Sequence, residues 1–159
     1  MYGYKCFNQG LINRYGHKFE IGKTYHAESE IKFGNNGNGF HICTNLEDTL
    51  RYFDAFNNEV DICLVYCYGD NSSYNDEYYG YYDMYAFEYM KIIKKLSREE
   101  IIEYAKRVSD YRLKRFISLM KLTQNELKEI KNLFKDNEDV LKCILYYQEN
   151  KTDVYALKK

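Results

Sequence analysis

Along residues 1–96 apolar and polar positions alternate mainly with a period of two, and from Ser97 onward they recur at i, i+3, i+4 and i+7. Tyr2–Phe7 (YGYKCF) alternates as a strand does, Lys18–His26 predicts a second strand around Gly22, and Ile31–Phe33 a short third. Gly34–Gly39 (GNNGNG) has turn chemistry, because Gly and Asn tolerate positive φ, and Gly39–Cys43 (GFHIC) then reads as a short buried strand. Thr44-Asn-Leu-Glu47 has the spacing of a capping box and predicts a helix over about 45–53 that buries Leu46, Leu50 and Phe53. Glu59–Tyr68 (EVDICLVYCY) is rich in β-branched and aromatic residues and is the strongest strand. Tyr85–Leu96 alternates well enough to return as a strand, with a helix as the alternative.

Two further capping boxes, Ser97-Arg-Glu-Glu100 and Thr123-Gln-Asn-Glu126, open the helical third. Its stripes are Ile101, Tyr104, Ala105 and Val108; Leu113, Phe116, Ile117 and Met120; Leu127, Ile130, Leu133 and Phe134; and Val140, Leu141, Ile144 and Leu145. The pattern predicts an α+β fold: a small, mainly antiparallel sheet with one helix over 1–96, then a bundle of three or four helices over 97–159 packed against it.

A chain of 159 residues with 45% hydrophobic content can bury a sizeable core. No apolar run approaches the roughly 20 residues of a membrane span, and MYGYKCFNQG lacks the basic start and apolar core of a signal peptide. Five cysteines, an odd number, read as reduced and mostly buried thiols, which places the protein in the cytoplasm of a bacterial host cell. The absence of Pro and Trp beside abundant Asn, Lys, Ile and Tyr suggests an AT-rich genome, such as that of a low-GC bacterium or its phage.

The net charge of −1 argues against a general binder of nucleic acid or membrane, yet it hides an asymmetry: residues 1–96 carry 9 basic and 13 acidic side chains (net −4), residues 97–159 carry 14 and 11 (net +3). Within the acidic part, residues 69–89 hold seven tyrosines and five carboxylates without one Lys or Arg. Tyr supplies rigid amphipathic contact area at low entropic cost, and carboxylates attract a basic groove, so the segment suits a binding surface as well as a solvated loop. The expected contacts are Tyr78, Tyr79, Tyr81, Tyr82 and Tyr85, with Asp76, Glu77 and Asp83 steering and pairing with Lys or Arg.

Catalytic and metal signatures are thin. His17, His26 and His41 are scattered over three elements, and Cys63 and Cys67, four apart on one strand, would lie about 13 Å from each other. His41 and Cys43 could share a strand face, which leaves a metal or thiol–base idea open beside the expectation of packed thiols. The Gly34–Gly39 loop matches no phosphate-binding pattern and suits a hairpin. Lys106, Arg107, Arg112, Lys114, Arg115 and Lys121 form a basic stretch that reads as a solvated helix face or as a patch for phosphate or an acidic partner. No cofactor or metal is expected.

The blocks YKCFN (Tyr4–Asn8), KFEIGKTY (Lys18–Tyr25), GFHICTNLEDTLRYFD (Gly39–Asp54) and ICLVYCYGD (Ile62–Asp70) resemble an uncharacterised group of short domains common in phages, prophages and low-GC bacteria. The resemblance spans about the first 95 residues. It implies a mobile-element setting, where small proteins often bind and block a host enzyme, anti-CRISPR proteins among them. The expected function is therefore a non-catalytic interaction protein that inhibits a host protein or ribonucleoprotein complex through its basic surface, without direct contact to nucleic acid or membrane. A self-associating structural protein is an alternative. A second similarity, in the order of strand, Gly-aromatic strand, helix with Tyr52, strand and late Glu, is to ADP-ribosyltransferases of the diphtheria-toxin type. That similarity implies His41 or Tyr52 near a nicotinamide and Glu77 or Glu88 as the catalytic carboxylate. The family's early His-x-Thr or Arg element has no counterpart, since the first strand here reads YGYKCF.

Overall fold

A computed structural model describes residues 1–34, 36–73 and 84–149. It has five antiparallel strands followed by four α-helices: β1 Tyr2–Asn8, β2 Thr24–His26, β3 Phe40–Cys43, β4 Val60–Ser73, β5 Met84–Lys95, α1 Arg98–Arg107, α2 Asp110–Leu119, α3 Gln124–Leu133 and α4 Glu138–Ile144. A 3-10 helix, Leu46–Tyr52, follows β3, and a π-helical turn, Leu145–Glu149, continues α4. The α+β class read from the periodicity is the observed one.

The chain divides into two compact units, one comprising Met1–Phe53 with Asn58–Leu96, the other Asp54–Asn57 with Ser97–Lys159. The change of period at Ser97 thus coincides with a unit boundary. In the second unit Lys121 N–H donates to Ala55 C=O (3.5 Å), which ties the short 54–57 segment to the helices.

In the first unit β1 pairs with both β3 and β4, and β5 pairs with β4 along one edge and with β3 and then β2 along the other. The ring β1–β3–β5–β4 is therefore closed, which removes most free edges from a small sheet. Alternation then fills the interior: Phe7 from β1, Ile42 from β3, Cys63, Val65 and Cys67 from β4, and Met90 and Ile92 from β5 are all buried. Fully burying side chains of this size contributes roughly 1.5–3 kcal/mol each. Gly3 permits the β1–β3 approach, because a Cβ there would stand 2.8 Å from Ile42 Cδ1 and 3.0 Å from Cys43 O.

Several local expectations change. The helix after β3 is a 3-10 helix and starts one residue late: Asn45 occupies the N-cap with no side-chain cap bond, and Asp48 N–H donates to Asn45 C=O at i+3 spacing (3.3 Å). Glu47, the acidic member of the expected box, is fully buried. Only Thr24–His26 of the 18–26 run is a strand, Lys18 meeting Ile12 in an isolated bridge, and the expected strand over 31–33 is reduced to the Lys32–Asn38 bridge that closes the Gly-rich turn. The boxes at Ser97 and Thr123 are both formed reciprocally. Leu133, expected on a core stripe, is 57% exposed at the end of α3, while Ile102 takes an unforeseen core place.

Candidate functional site

A pocket of about 320 Å³ opens within the first unit between β1, β3 and the loops 9–17 and 31–39. On β1 the register sets Lys5 opposite Cys63, so its side chain enters the same inward row as Phe7. The half-buried ammonium donates to His41 C=O (2.7 Å) and lies 5.9 Å from the Phe7 ring centre. Desolvation holds the Lys5 pKa below its ordinary value.

Arg14 comes from a loop that the sequence ties down at both ends. The Asn13 side chain accepts from the backbone N–H of Tyr15 (3.0 Å) and His17 (2.9 Å), an Asx-type turn. Asp61, buried at the start of β4, accepts from Gly10 N–H (2.7 Å) and Leu11 N–H (3.1 Å) and pairs with Lys95 (3.1 Å). The Arg14 guanidinium is exposed and lies 5.4 Å from the Tyr52 ring centre and 5.9 Å from that of Tyr15. Its rings and cation frame the pocket beside Lys5.

His41 forms the opposite wall. Nδ1 faces Gly39 C=O (3.1 Å) and must donate to it, so Nε2 is the acceptor for Gly34 N–H (3.1 Å). Burial first, and then the positive charges of Lys5 and Arg14, lower its pKa, which keeps this tautomer neutral. Both ring nitrogens are thus engaged in holding the Gly-rich loop, and Phe33 packs on the ring at 4.8 Å. Gly39, at φ +111, cannot carry a side chain without strain, since a Cβ would lie 3.0 Å from Phe87 O.

The thiol–base idea fails on this geometry. Cys43 is buried and its pKa is pushed up to about 12, by burial first and by Asp48 second, while the His41 lone pair is already used. Cys63 and Cys67 are likewise raised to about 12 by burial and sit in the core. Among the described residues no group of three His, Cys, Asp or Glu gathers as a metal site.

The pocket brings Tyr52, which the sequence had placed on the following helix, to His41 and Cys43 of the preceding strand. It does not include Glu88, which accepts from Asp70 N–H (3.1 Å) and pairs with His26 (3.1 Å) elsewhere on the sheet. Tyr85 is half-buried, stands in register with Ile42 and Ser73, and packs against the core. Asp76, Glu77, Tyr78, Tyr79, Tyr81, Tyr82 and Asp83 lie outside the described residues. In the helical unit the basic stretch is partly paired: Lys106 meets Glu103 (2.8 Å) and Glu129, and Arg107 meets Glu103 (3.6 Å).

Lys5 and Arg14 are the functional candidates that sequence reasoning missed. The signal for Lys5 was present in the alternation of YKCF, which puts Lys5 on the face of Phe7. Residues 1–104 match a family model described as "Domain of unknown function (DUF7666)", which covers the sheet-rich unit and runs into α1. No curated protein and no solved structure matches the chain. No helix among the described residues is long and apolar enough to cross a membrane.

Proposed function

The chain belongs to the DUF7666 family, a domain of unknown function, and from the pocket we propose that its sheet-rich unit binds a small planar ligand carrying one anionic group. The observation that supports this is the convergence of Lys5 and Arg14, with no carboxylate among the described lining residues, on a pocket walled by His41, Phe33, Tyr15 and Tyr52. The two cations suit a carboxylate or phosphate, and the rings suit a flat apolar body. A volume of about 320 Å³ is at the small end of ligand sites, enough for one ring with its anionic substituent. The neutral His41 contributes shape rather than charge, because both its nitrogens serve the loop.

Nicotinate and its neutral isostere nicotinamide are suitable probes. Under this reading nicotinate raises the melting temperature and gives a saturable calorimetric titration, nicotinamide does neither, and Arg14→Gln weakens nicotinate binding about tenfold. Binding of both probes with equal affinity, or of neither, sinks the reading.

One observation favours a second reading. His41 and Tyr52, the two residues that the similarity to ADP-ribosyltransferases would set near a nicotinamide, both line the pocket. In that case nicotinamide binds in preference to nicotinate, NAD stabilises the protein further, and free nicotinamide accumulates during incubation with NAD. Glu88 is outside the pocket lining, so the carboxylate that such chemistry requires has no counterpart among the described lining residues.

A further inference from the structure

The outer face of the sheet carries a run of aromatic rings that has no part in the pocket. Alternation explains its existence: Val65, Cys67 and Met90 point into the core, so Tyr66, Tyr68 and Tyr89 point out. Pairing then aligns them across four strands. Tyr2 on β1 meets Tyr66 (4.9 Å between ring centres), Tyr66 meets Tyr68 (5.9 Å), Tyr68 stacks on Tyr89 (4.8 Å, 6° between planes), and Tyr89 stacks on His26 of β2 (4.6 Å, 20°). Such cross-strand pairs stabilise a sheet, but that role does not require exposure. Tyr2, Tyr66 and Tyr68 are nevertheless 63%, 37% and 43% exposed, and a contiguous aromatic patch of this kind marks an interaction surface.

The charge beside the stack selects the occupant. The register of β4 against β5 breaks between Tyr68 and Asn71, with Gly69 at φ +85. A Cβ on Gly69 would stand 2.6 Å from Glu88 Oε2, so the glycine opens the space in which that carboxylate sits. There Glu88 accepts from Asp70 N–H and meets His26, which fixes it against the Tyr68–Tyr89–His26 end of the row. A carboxylate has about four acceptor directions; Asp70 N–H, His26 and the Tyr89 side chain take three, which leaves one for a partner. Asp70 is exposed next to it, and the segment 69–89 contains five carboxylates and no Lys or Arg. At the other end Lys91 stands in register with Tyr66, so a partner's cations belong toward Glu88.

We propose that this face, centred on Tyr68, Tyr89, His26 and Glu88, docks a basic, arginine-bearing segment of a partner protein. Guanidinium is planar and weakly hydrated, so it can lie flat on an aromatic surface while it bonds to a carboxylate; the compact, strongly hydrated ammonium does both less well. Nucleic acid fits less well, because its phosphates would meet Glu88 and Asp70.

The test uses the full chain and a labelled peptide of alternating Arg and Gly, read by fluorescence anisotropy, beside its Lys counterpart and a labelled oligothymidylate. The Arg peptide binds, the Lys peptide binds about two- to fivefold more weakly, and added salt weakens both. Glu88→Gln and Tyr68→Ala each reduce Arg-peptide affinity by a similar factor, while Tyr111→Ala on α2 leaves it unchanged. Arg and Lys peptides of equal affinity, no binding at low salt, or tighter binding of the oligothymidylate would each overturn the proposal. The peptide comparison is made on the unmodified chain and does not depend on whether a variant folds.

Discussion

Replacing Lys5 with Met separates the cost of the pocket from its use. Met keeps the unbranched stem that passes Phe7, so the interior volume is nearly conserved and only the charge is removed. The ammonium loses hydration on burial, and its pKa is lowered despite the bond to His41 C=O, so the folded state disfavours the charge on balance. Lys5→Met is therefore expected to leave stability at neutral pH unchanged or to raise it, since a buried charge replaced by an apolar side chain of similar volume is often neutral or stabilising. The sign with pH follows from proton binding. Between the lowered folded value and the ordinary 10.5, the unfolded chain holds more protons than the native one, so native stability rises with pH. The advantage of the variant is full below the folded-state value and disappears as pH approaches 10.5. Ligand affinity moves the other way: loss of one charge-assisted bond, worth about 1.5–3 kcal/mol, weakens nicotinate roughly 10- to 150-fold. Urea titrations of both proteins at several pH values, with calorimetry on nicotinate, measure each quantity. Unchanged affinity removes Lys5 from the site, and a pH-independent loss above about 1 kcal/mol would show the ammonium to be structural.

Asp61→Ala removes the acceptor of the exposed Gly10 N–H and the buried Leu11 N–H, and should cost roughly 1–3 kcal/mol in urea unfolding. The same change loosens the loop that presents Arg14, so nicotinate binding falls as well. In the helical unit Arg98 donates to both oxygens of the buried Glu126 (2.7 and 2.9 Å). Burial alone would raise the Glu126 pKa, but the bonds from Arg98 and Thr123 hold it below the usual range, so its contribution is present above the unfolded value and is lost as pH falls through the folded one. Arg98→Ala should cost about 1–2 kcal/mol at pH 7, an amount reduced by the guanidinium's partial exposure, and the loss should shrink in acid melts. Iodoacetamide at pH 8 should spare Cys6, Cys43, Cys63 and Cys67 in the native protein and label them after denaturation, as peptide mass spectrometry would reveal. Rapid native labelling of Cys43 would reopen the thiol-nucleophile idea.

Much of the fold was legible because its causes are local. The capping boxes at Ser97 and Thr123 name the backbone amides they satisfy, and the period of two in YGYKCF and EVDICLVYCY sets Lys5 with Phe7, and Cys63 with Val65 and Cys67, on common faces. At Thr44 the same spacing precedes a 3-10 helix that begins at Leu46, and Leu46, Glu47 and Leu50 are all buried, so burial as well as capping shapes this turn. The sequence also determined the outward tyrosines, since alternation with Val65, Cys67 and Met90 leaves them no other side. Only the tertiary structure decided the pocket. A lysine in an alternating strand belongs to solvent unless the sheet closes, and it is the pairing of β5 with both β3 and β4 that turns the Lys5 row into an interior. That closure, with loops anchored by Asp61 and Asn13, sets Arg14 and His41 beside a residue distant from both in the chain, which no local pattern encodes.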